Sequence, residues 1–410
     1  MSSPLLRVLI VGASLAGLSA ARALRKAGYD GSITLLGAET EAPYKRPPLS
    51  KEILSGAAEP AAARLRIEDD LDLEWRLGER AAGLDLSART VRLADGRLER
   101  FDGLVIATGA APVNPWQDRR LRGVHTLRTL DDSIRLRDSL CNAEQLVVIG
   151  AGFVGAEVAS VARGRGLDVT MIELLRTPFA AALGRTVGQA VAELHHDHGT
   201  RLLLRTRVAG LIGADQVTGV RLTGGGVVPA DVVLVGIGAV PSTGWLEGSG
   251  VALGSGVVCD ETCAVLDGNG AVIDGIVAAG DVARWHNPLF AVDMRVEHWD
   301  NAISQGRAAA LRLLGHTASY APVPYFWSDQ YGTKLQFVGI APPGAKPVMT
   351  EGNSASGAFV AVYGSGGRAV GALAMNMPHR MASYRKLIAG RAAFPPANDG
   401  AITDRAAACT

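Results

Sequence analysis

The sequence predicts an α/β protein: two wound, mostly parallel sheets with covering helices, followed by a smaller α+β region. Three observations carry that expectation. A Gly-rich strand–turn–helix stretch, "RVLIVGASLAGLSAARAL", spans residues 7–24. A second stretch of the same design, "QLVVIGAGFVGAEVAS", spans residues 145–160. Near the far end, "GAFVAVYG" (357–364) and "AVGALAMN" (369–376) read as two hairpin strands.

In the first stretch an apolar strand meets a turn with Gly12, Ser14, Leu15, Ala16 and Gly17, and an Ala-rich helix follows. In the second, the turn is the full Gly150, Gly152, Gly155, with Phe153 and Val154 between the glycines, and it opens a helix that carries Glu157. The spacing has a mechanical meaning. The first glycine permits the tight turn, the second lets backbone approach a pyrophosphate, and the third lets helix and strand pack closely. The phosphates then meet unpaired N–H groups at the positive end of the helix dipole. Each unit continues into another strand ending at an acid, "GSITLLGAE" to Glu39 and "LDVTMIE" to Glu173. That is where a ribose hydroxyl is held. One imperfect motif is also compatible with a bare βαβ crossover. Two copies with strand, helix and acid favour two Rossmann-like dinucleotide sites.

Further strands fit the same scheme. "FDGLVIATGAAP" (101–112) ends in the small-residue turn Ala107, Thr108, Gly109. "GIVAAGDVA" (275–283) ends in Gly280 and Asp281, where the acid is either an acceptor for ribityl hydroxyls or an ordinary helix N-cap. "VVLVGIGAVPSTGWLEGSG" (232–250) supplies Gly236, Ile237 and Gly238 and marks the return from the second unit to the first. Two dinucleotide sites in one chain suggest FAD together with NAD(P)H.

Composition sets bounds. The chain has 410 residues, 48% hydrophobic and 20% charged, enough for two or three domains with large cores. A net charge of +1 gives no electrostatic case for nucleic acid or membrane. The N-terminus has no signal-peptide layout, and no stretch is long and apolar enough to span a bilayer. Cysteines stand at 141, 259, 263 and 409, a scatter that suits a reducing cytoplasm rather than a disulfide framework. The histidines of "ELHHDHG" (193–199) lack a metal-binding helical spacing and suit the negative end of a helix, so no metal site is expected.

The order of these segments resembles the two-dinucleotide flavoproteins with the glutathione-reductase fold. Within that group, "APYKRPPLSKE" (42–52), "RVEHWDNAISQGRAAA" (295–310) and "PYFWSDQYGTKLQFVG" (324–339) resemble the NADH-dependent ferredoxin reductases of bacterial oxygenase and P450 systems. The resemblance implies a discontinuous FAD domain (1–113 and 242–320), an inserted NADH domain (114–241), a C-terminal α+β domain (321–390) and a mobile tail (391–410). It implies flavin contacts from Arg46, Lys51, Arg128, Glu297, His298, Trp299 and Trp327, beside Gly12–Gly17, Glu39, Thr108, Gly109 and Asp281. Lys51 is expected near the flavin N5 edge, paired with Glu157, as the catalytic pair. Glu173, followed by Leu174 and Leu175, favours NADH over NADPH.

The segment departs from its relatives at two points. Arg176 stands one position early after Glu173, and Ala38 replaces a usual acid beside Glu39. No cysteine precedes Cys141, so electrons cannot leave through a thiol beside the flavin. The implied partner is a 2Fe–2S ferredoxin serving a P450 or ring-hydroxylating oxygenase, met by Arg307, Trp327 and Lys334. A monomer or weak dimer is expected. An NADH oxidase or peroxidase, and a redox-sensing flavoprotein of the apoptosis-inducing-factor kind, are the competing readings.

Overall fold

The computed structural model describes residues 5–396. Its first sheet is built on the parallel strands 272–278, 103–106, 7–11, 32–37 and 74–77, in that spatial order. Both faces of this core are covered, which is why Leu104, Val105, Ile106 and Ile10 are all fully buried in near-continuous apolar runs. Strands 264–266, 256–259, 283–287 and 292–294 extend the sheet on one side, antiparallel except for the parallel pair 256–259 and 283–287. The helix Leu15–Lys26 packs on the helix Trp299–Leu313. Their closest approach needs Gly306, where a Cβ would stand 2.4 Å from the Ala16 carbonyl oxygen.

A second parallel sheet, ordered 201–203, 168–172, 145–149, 232–235, 124–125, repeats the design. The two sheets are joined where strand 110–112 leaves the first and strand 239–241 returns to it, paired antiparallel. Small three-stranded meanders, 81–100 and 208–229, flank the sheets. The C-terminal region is a five-stranded antiparallel sheet, ordered 325–330, 333–339, 368–375, 358–365, 348–353, with helix Met381–Ala389 on one face. Its central hairpin is the one read from "GAFVAVYG" and "AVGALAMN".

Two expectations change. Asp281 caps no helix: it lies in the short turn Gly280–Val282, and strand Ala283–Asn287 follows. Residues 391–396 run along the C-terminal sheet rather than away from it. Ala369 N–H donates to the Ala392 carbonyl at 2.9 Å, Phe394 N–H donates to the Gly367 carbonyl at 2.9 Å, and the Phe394 ring fills the space over Gly364. The remainder of the expected tail, 397–410, including Cys409, lies outside the described residues. Among the described residues no helix is long and apolar enough to cross a membrane.

Candidate flavin and nucleotide site

The two glycine turns have matching geometry. Gly12 has φ +123°, and a Cβ there would stand 2.0 Å from the Ala107 carbonyl oxygen; Gly150 has φ +101°, with the Gly236 oxygen at 2.3 Å. Each third glycine lies under the first: Cβ atoms at Gly17 and Gly155 would meet the Gly12 and Gly150 carbonyl oxygens at 2.0 and 2.3 Å. The middle position differs in kind. Ser14 has φ −111° and Gly152 φ −84°, ordinary values for any residue. A Cβ at Gly152 meets nothing within 4 Å. Serine is therefore accommodated at this position without strain. Ser14 makes no side-chain cap, so the first N–H groups of the helix Leu15–Lys26 stay open to a ligand.

A cavity of about 580 Å³ opens from this helix end. Of the residues predicted to hold flavin, Gly12, Ser14, Leu15, Ala16, Glu39, Arg46, Lys51, Ala107, Thr108 and Gly109 line it. So do Arg128, Gly280, Asp281, Glu297, His298, Trp299 and Trp327. Gly17 does not; its part is helix–strand packing. The acids are paired with guanidinium groups. Glu39 takes Arg46 at 2.5 Å and the Tyr44 hydroxyl, and Asp281 takes Arg128 at 2.6 Å. Arg46 also donates to the Arg128 carbonyl at 2.6 Å, so one network links the two acids.

Three buried polar atoms of cavity-lining residues lack a protein partner: Glu79 Oε2, Trp245 Nε1 and His298 Nδ1. Burial pushes His298 down to about 4, so its ring is neutral. Open helix N–H groups, carboxylates at strand ends and unpartnered buried donors and acceptors in one cavity fit a dinucleotide-linked flavin.

Phe153, Val154 and Glu157 of the second unit line the same cavity. Gly150, Gly152, Gly155, Glu173, Gly236, Ile237 and Gly238 do not; they form their own turn beside it, with Val154 and Ile237 exposed. Glu173 accepts N–H bonds from Ala151 and Leu175, both at 2.8 Å, which fixes its carboxylate at the end of strand Asp168–Ile172. Leu174 and Leu175 beside it are exposed.

The two units meet at Lys51 and Glu157. The Lys51 Nζ lies 2.7 Å from Glu157 Oε2, and the two side chains are 13% and 6% exposed. Glu157 is further held by two hydroxyls, Ser50 at 2.5 Å and Ser328 at 2.6 Å. Ser50, Tyr44, Ser328 and Phe326 were missed from the sequence. Ser50 and Tyr44 lie inside the quoted "APYKRPPLSKE", but hydroxyls there also read as ordinary turn residues. Ser328 lies on a strand 171 positions from its partner, and no local pattern signals it. Phe153 stacks on Phe179 with ring centroids 4.4 Å apart and meets Phe326 edge-on at 4.6 Å, closing the floor between the parts.

Of the residues predicted to meet a partner, Trp327 reaches the cavity and stacks on Tyr325, Arg307 is exposed, and Lys334 faces Asp329 at 3.6 Å. His195 does not serve the helix dipole. It is fully buried, bonded to Tyr331 and Gln330. Among the described residues no His, Cys, Asp and Glu cluster suits a metal. Cys259 and Cys263 are buried free thiols far below the surface, and burial raises both well above the usual thiol range; Cys141 is exposed. None lines the cavity.

Comparison with known proteins places this architecture. Residues 6–306 match the model described as "Pyridine nucleotide-disulphide oxidoreductase", and 325–407 match "Reductase C-terminal". The chain belongs to the pyridine nucleotide-disulphide oxidoreductase family. Rhodocoxin reductase of Rhodococcus erythropolis is 37% identical over 95% of this chain and 91% of its own length. The solved ferredoxin reductase for the CYP199A2 system of Rhodopseudomonas palustris has a TM-score of 0.89 at 33% identity, covering 95% of each chain. Putidaredoxin reductase in its covalent complex with putidaredoxin has a TM-score of 0.88 at 31% identity, covering 94% and 93%. The oxidoreductase described here thus has the two-dinucleotide flavoprotein fold. Flavin and pyridine nucleotide are the ligands that fold is built for. Despite the family's title, none of the cysteines among the described residues lines the cavity.

Proposed function

We propose that this oxidoreductase takes electrons from NADH through a bound FAD and passes them singly to a 2Fe–2S ferredoxin of a P450 or ring-hydroxylating oxygenase. The observation that carries the reading is the Lys51–Glu157 pair, which joins the two nucleotide units at a cavity lined by no thiol among the described residues. The relatives named as ferredoxin reductases support it. When bound, the flavin accepts hydride from the nicotinamide and releases electrons one at a time.

The protein's share is positioning. The open N–H groups after Ser14 would hold the pyrophosphate, Glu39 the ribose, and Asp281, Arg128 and the Thr108–Gly109 turn the ribityl chain. Arg46, Glu297, His298, Trp299 and Trp327 would enclose the ring system. The Gly150–Gly155 turn and Glu173 would hold NADH, with Phe153, Val154 and the Gly236–Gly238 turn against it. A 2′-phosphate would meet the Glu173 carboxylate and two leucines rather than a cation, which favours NADH over NADPH. Lys51, anchored by Glu157, would present an ammonium to the reacting edge. Arg307, Lys334 and Trp327 are the residues offered to an acidic ferredoxin.

The test is NADH-driven cytochrome c reduction by the purified flavoprotein, with and without a 2Fe–2S ferredoxin. Strong dependence on ferredoxin supports the reading. Fast NADH consumption matched by peroxide or water without ferredoxin overturns it in favour of an oxidase, and slow turnover under both conditions favours a sensor.

A further inference from the structure

A line of polar side chains runs from Glu157 into the protein, away from the cavity. Ser328 Oγ donates to Glu157 Oε1 at 2.6 Å. Gln330 Nε2 donates to Ser328 Oγ at 3.0 Å. Gln330 Oε1 meets His195 Nε2 at 3.2 Å, His195 Nδ1 meets the Tyr331 hydroxyl at 3.0 Å, and that hydroxyl meets Thr200 Oγ1 at 2.7 Å. Ser328, Gln330, His195 and Thr200 are all at most 2% exposed.

Proton counting gives the line one direction. The single Ser328 hydrogen is spent on the carboxylate, so Ser328 Oγ can only accept from the amide, which fixes the Gln330 orientation. The Gln330 oxygen then needs a donor, which makes His195 the Nε2–H tautomer. His195 Nδ1 is left as an acceptor for the Tyr331 hydroxyl, and Tyr331 in turn accepts from Thr200. Burial pushes His195 down to about 4, in keeping with a neutral ring. Every donor therefore points toward Glu157, an arrangement in which hydrogen bonds polarise one another in the same sense. The line also crosses the structure: Glu157 lies on helix Phe153–Gly164, Ser328 and Gln330 on strand Tyr325–Gln330, and His195 on helix Ala180–Asp197. The Tyr331 N–H is pinned by Ser160 Oγ at 2.7 Å, one turn beyond Glu157.

We infer that Ser328, Gln330, His195 and Tyr331 are positioning residues for the Lys51–Glu157 pair, fixing the Glu157 carboxylate through one directed hydrogen-bond line. This deepens the reading above and rests only on its NADH-to-flavin half, not on the identity of the acceptor.

The experiment has two arms on the holoprotein. In the first, stopped-flow flavin reduction by NADH and NAD⁺ binding by titration are compared for Ser328→Ala, Ser328→Thr, Tyr331→Phe and the exposed-site control His196→Asn. Losing one hydrogen bond to a charged group is expected to slow the limiting rate about tenfold in Ser328→Ala. Ser328→Thr restores it, Tyr331→Phe slows it about threefold by freeing the His195 tautomer, NAD⁺ affinity stays unchanged, and His196→Asn behaves as wild type. In the second arm, nitrogen NMR of histidine-labelled protein, assigned by loss of a signal in His195→Asn, is expected to show His195 protonated at Nε2 only. Wild-type rates in both Ser328→Ala and Tyr331→Phe, or an Nδ1–H tautomer of His195, would overturn the proposal. A wild-type protein whose flavin NADH does not reduce would instead refute the functional reading, and the NMR arm would still decide the line.

Discussion

Replacing Lys51 by Met removes the ammonium 2.7 Å from Glu157 Oε2 and leaves a carboxylate on a residue only 5% exposed. Removing one partner of a buried ion pair costs about 3–5 kcal/mol. Two features lower the cost here. The Ser50 and Ser328 hydroxyls, at 2.5 and 2.6 Å, still donate to the carboxylate, and the pair borders a cavity that admits water. We expect a loss of about 2 kcal/mol. Glu157→Gln strands the ammonium instead, but Lys51 keeps the Pro47 carbonyl at 3.2 Å and is the more exposed partner. About 1 kcal/mol is expected there.

The double variant has no unpaired charge. It should also lose only about 1 kcal/mol, a coupling of about 2 kcal/mol between the two sites. Urea midpoints for the four proteins at fixed excess FAD measure this. Hydride transfer separates packing from positioning: it should stay slow in the double variant although stability returns. Additive losses, or a Lys51→Met protein as stable as wild type, would refute the claim that the pair is buried and coupled.

Other outcomes follow from the same geometry. Gly12→Ala puts a Cβ 2.0 Å from the Ala107 oxygen at a φ of +123°, so the protein should purify with little flavin, read from its visible spectrum. His195 has a folded value of about 4 against an ordinary 6.5, so between these the unfolded chain binds more protons. Its contribution is complete above the ordinary value and is lost as pH falls toward the folded one, by about 3 kcal/mol. Urea midpoints should fall over that window, less steeply in His195→Asn. Glu173→Ala combined with Leu174→Arg should move the NADH-to-NADPH preference at least tenfold toward NADPH in kcat/KM, since it removes a repelling carboxylate and supplies a cation. Thiol reagents should label Cys141 rapidly and leave Cys259 and Cys263 unmodified until the protein unfolds, as mass spectrometry of digests would show.

Much of the fold was legible because its signals are local. The strand–turn–helix units at Gly12 and Gly150 encode their own geometry, and the apolar runs around Ile106 and Leu234 are the strands of sheets covered on both faces. The lining of the candidate cavity was legible where a motif carried it, as at Lys51, Arg46 and Asp281. What was not legible depends on distant pairing. Ser328 and Gln330 sit on an ordinary-looking strand, and only the packing of three regions brings them to Glu157 and His195. The histidine run was misjudged for the same reason: periodicity puts His195 at a helix end, but the Tyr331 turn arriving from the C-terminal sheet buries it. Asp281 was read as a possible cap because a strand end followed by a turn looks alike whether a helix or another strand comes next.

The central claim is that NADH electrons leave this protein singly, to an iron–sulfur partner, without a thiol. Its most direct test is anaerobic double mixing: NADH first, in one equivalent, then an excess of oxidised 2Fe–2S ferredoxin. The account predicts rapid bleaching of the flavin, then two ferredoxins reduced per NADH as the flavin colour returns, and blocking the accessible thiols beforehand should change neither phase. Flavin that stays bleached until oxygen or peroxide is admitted would contradict it.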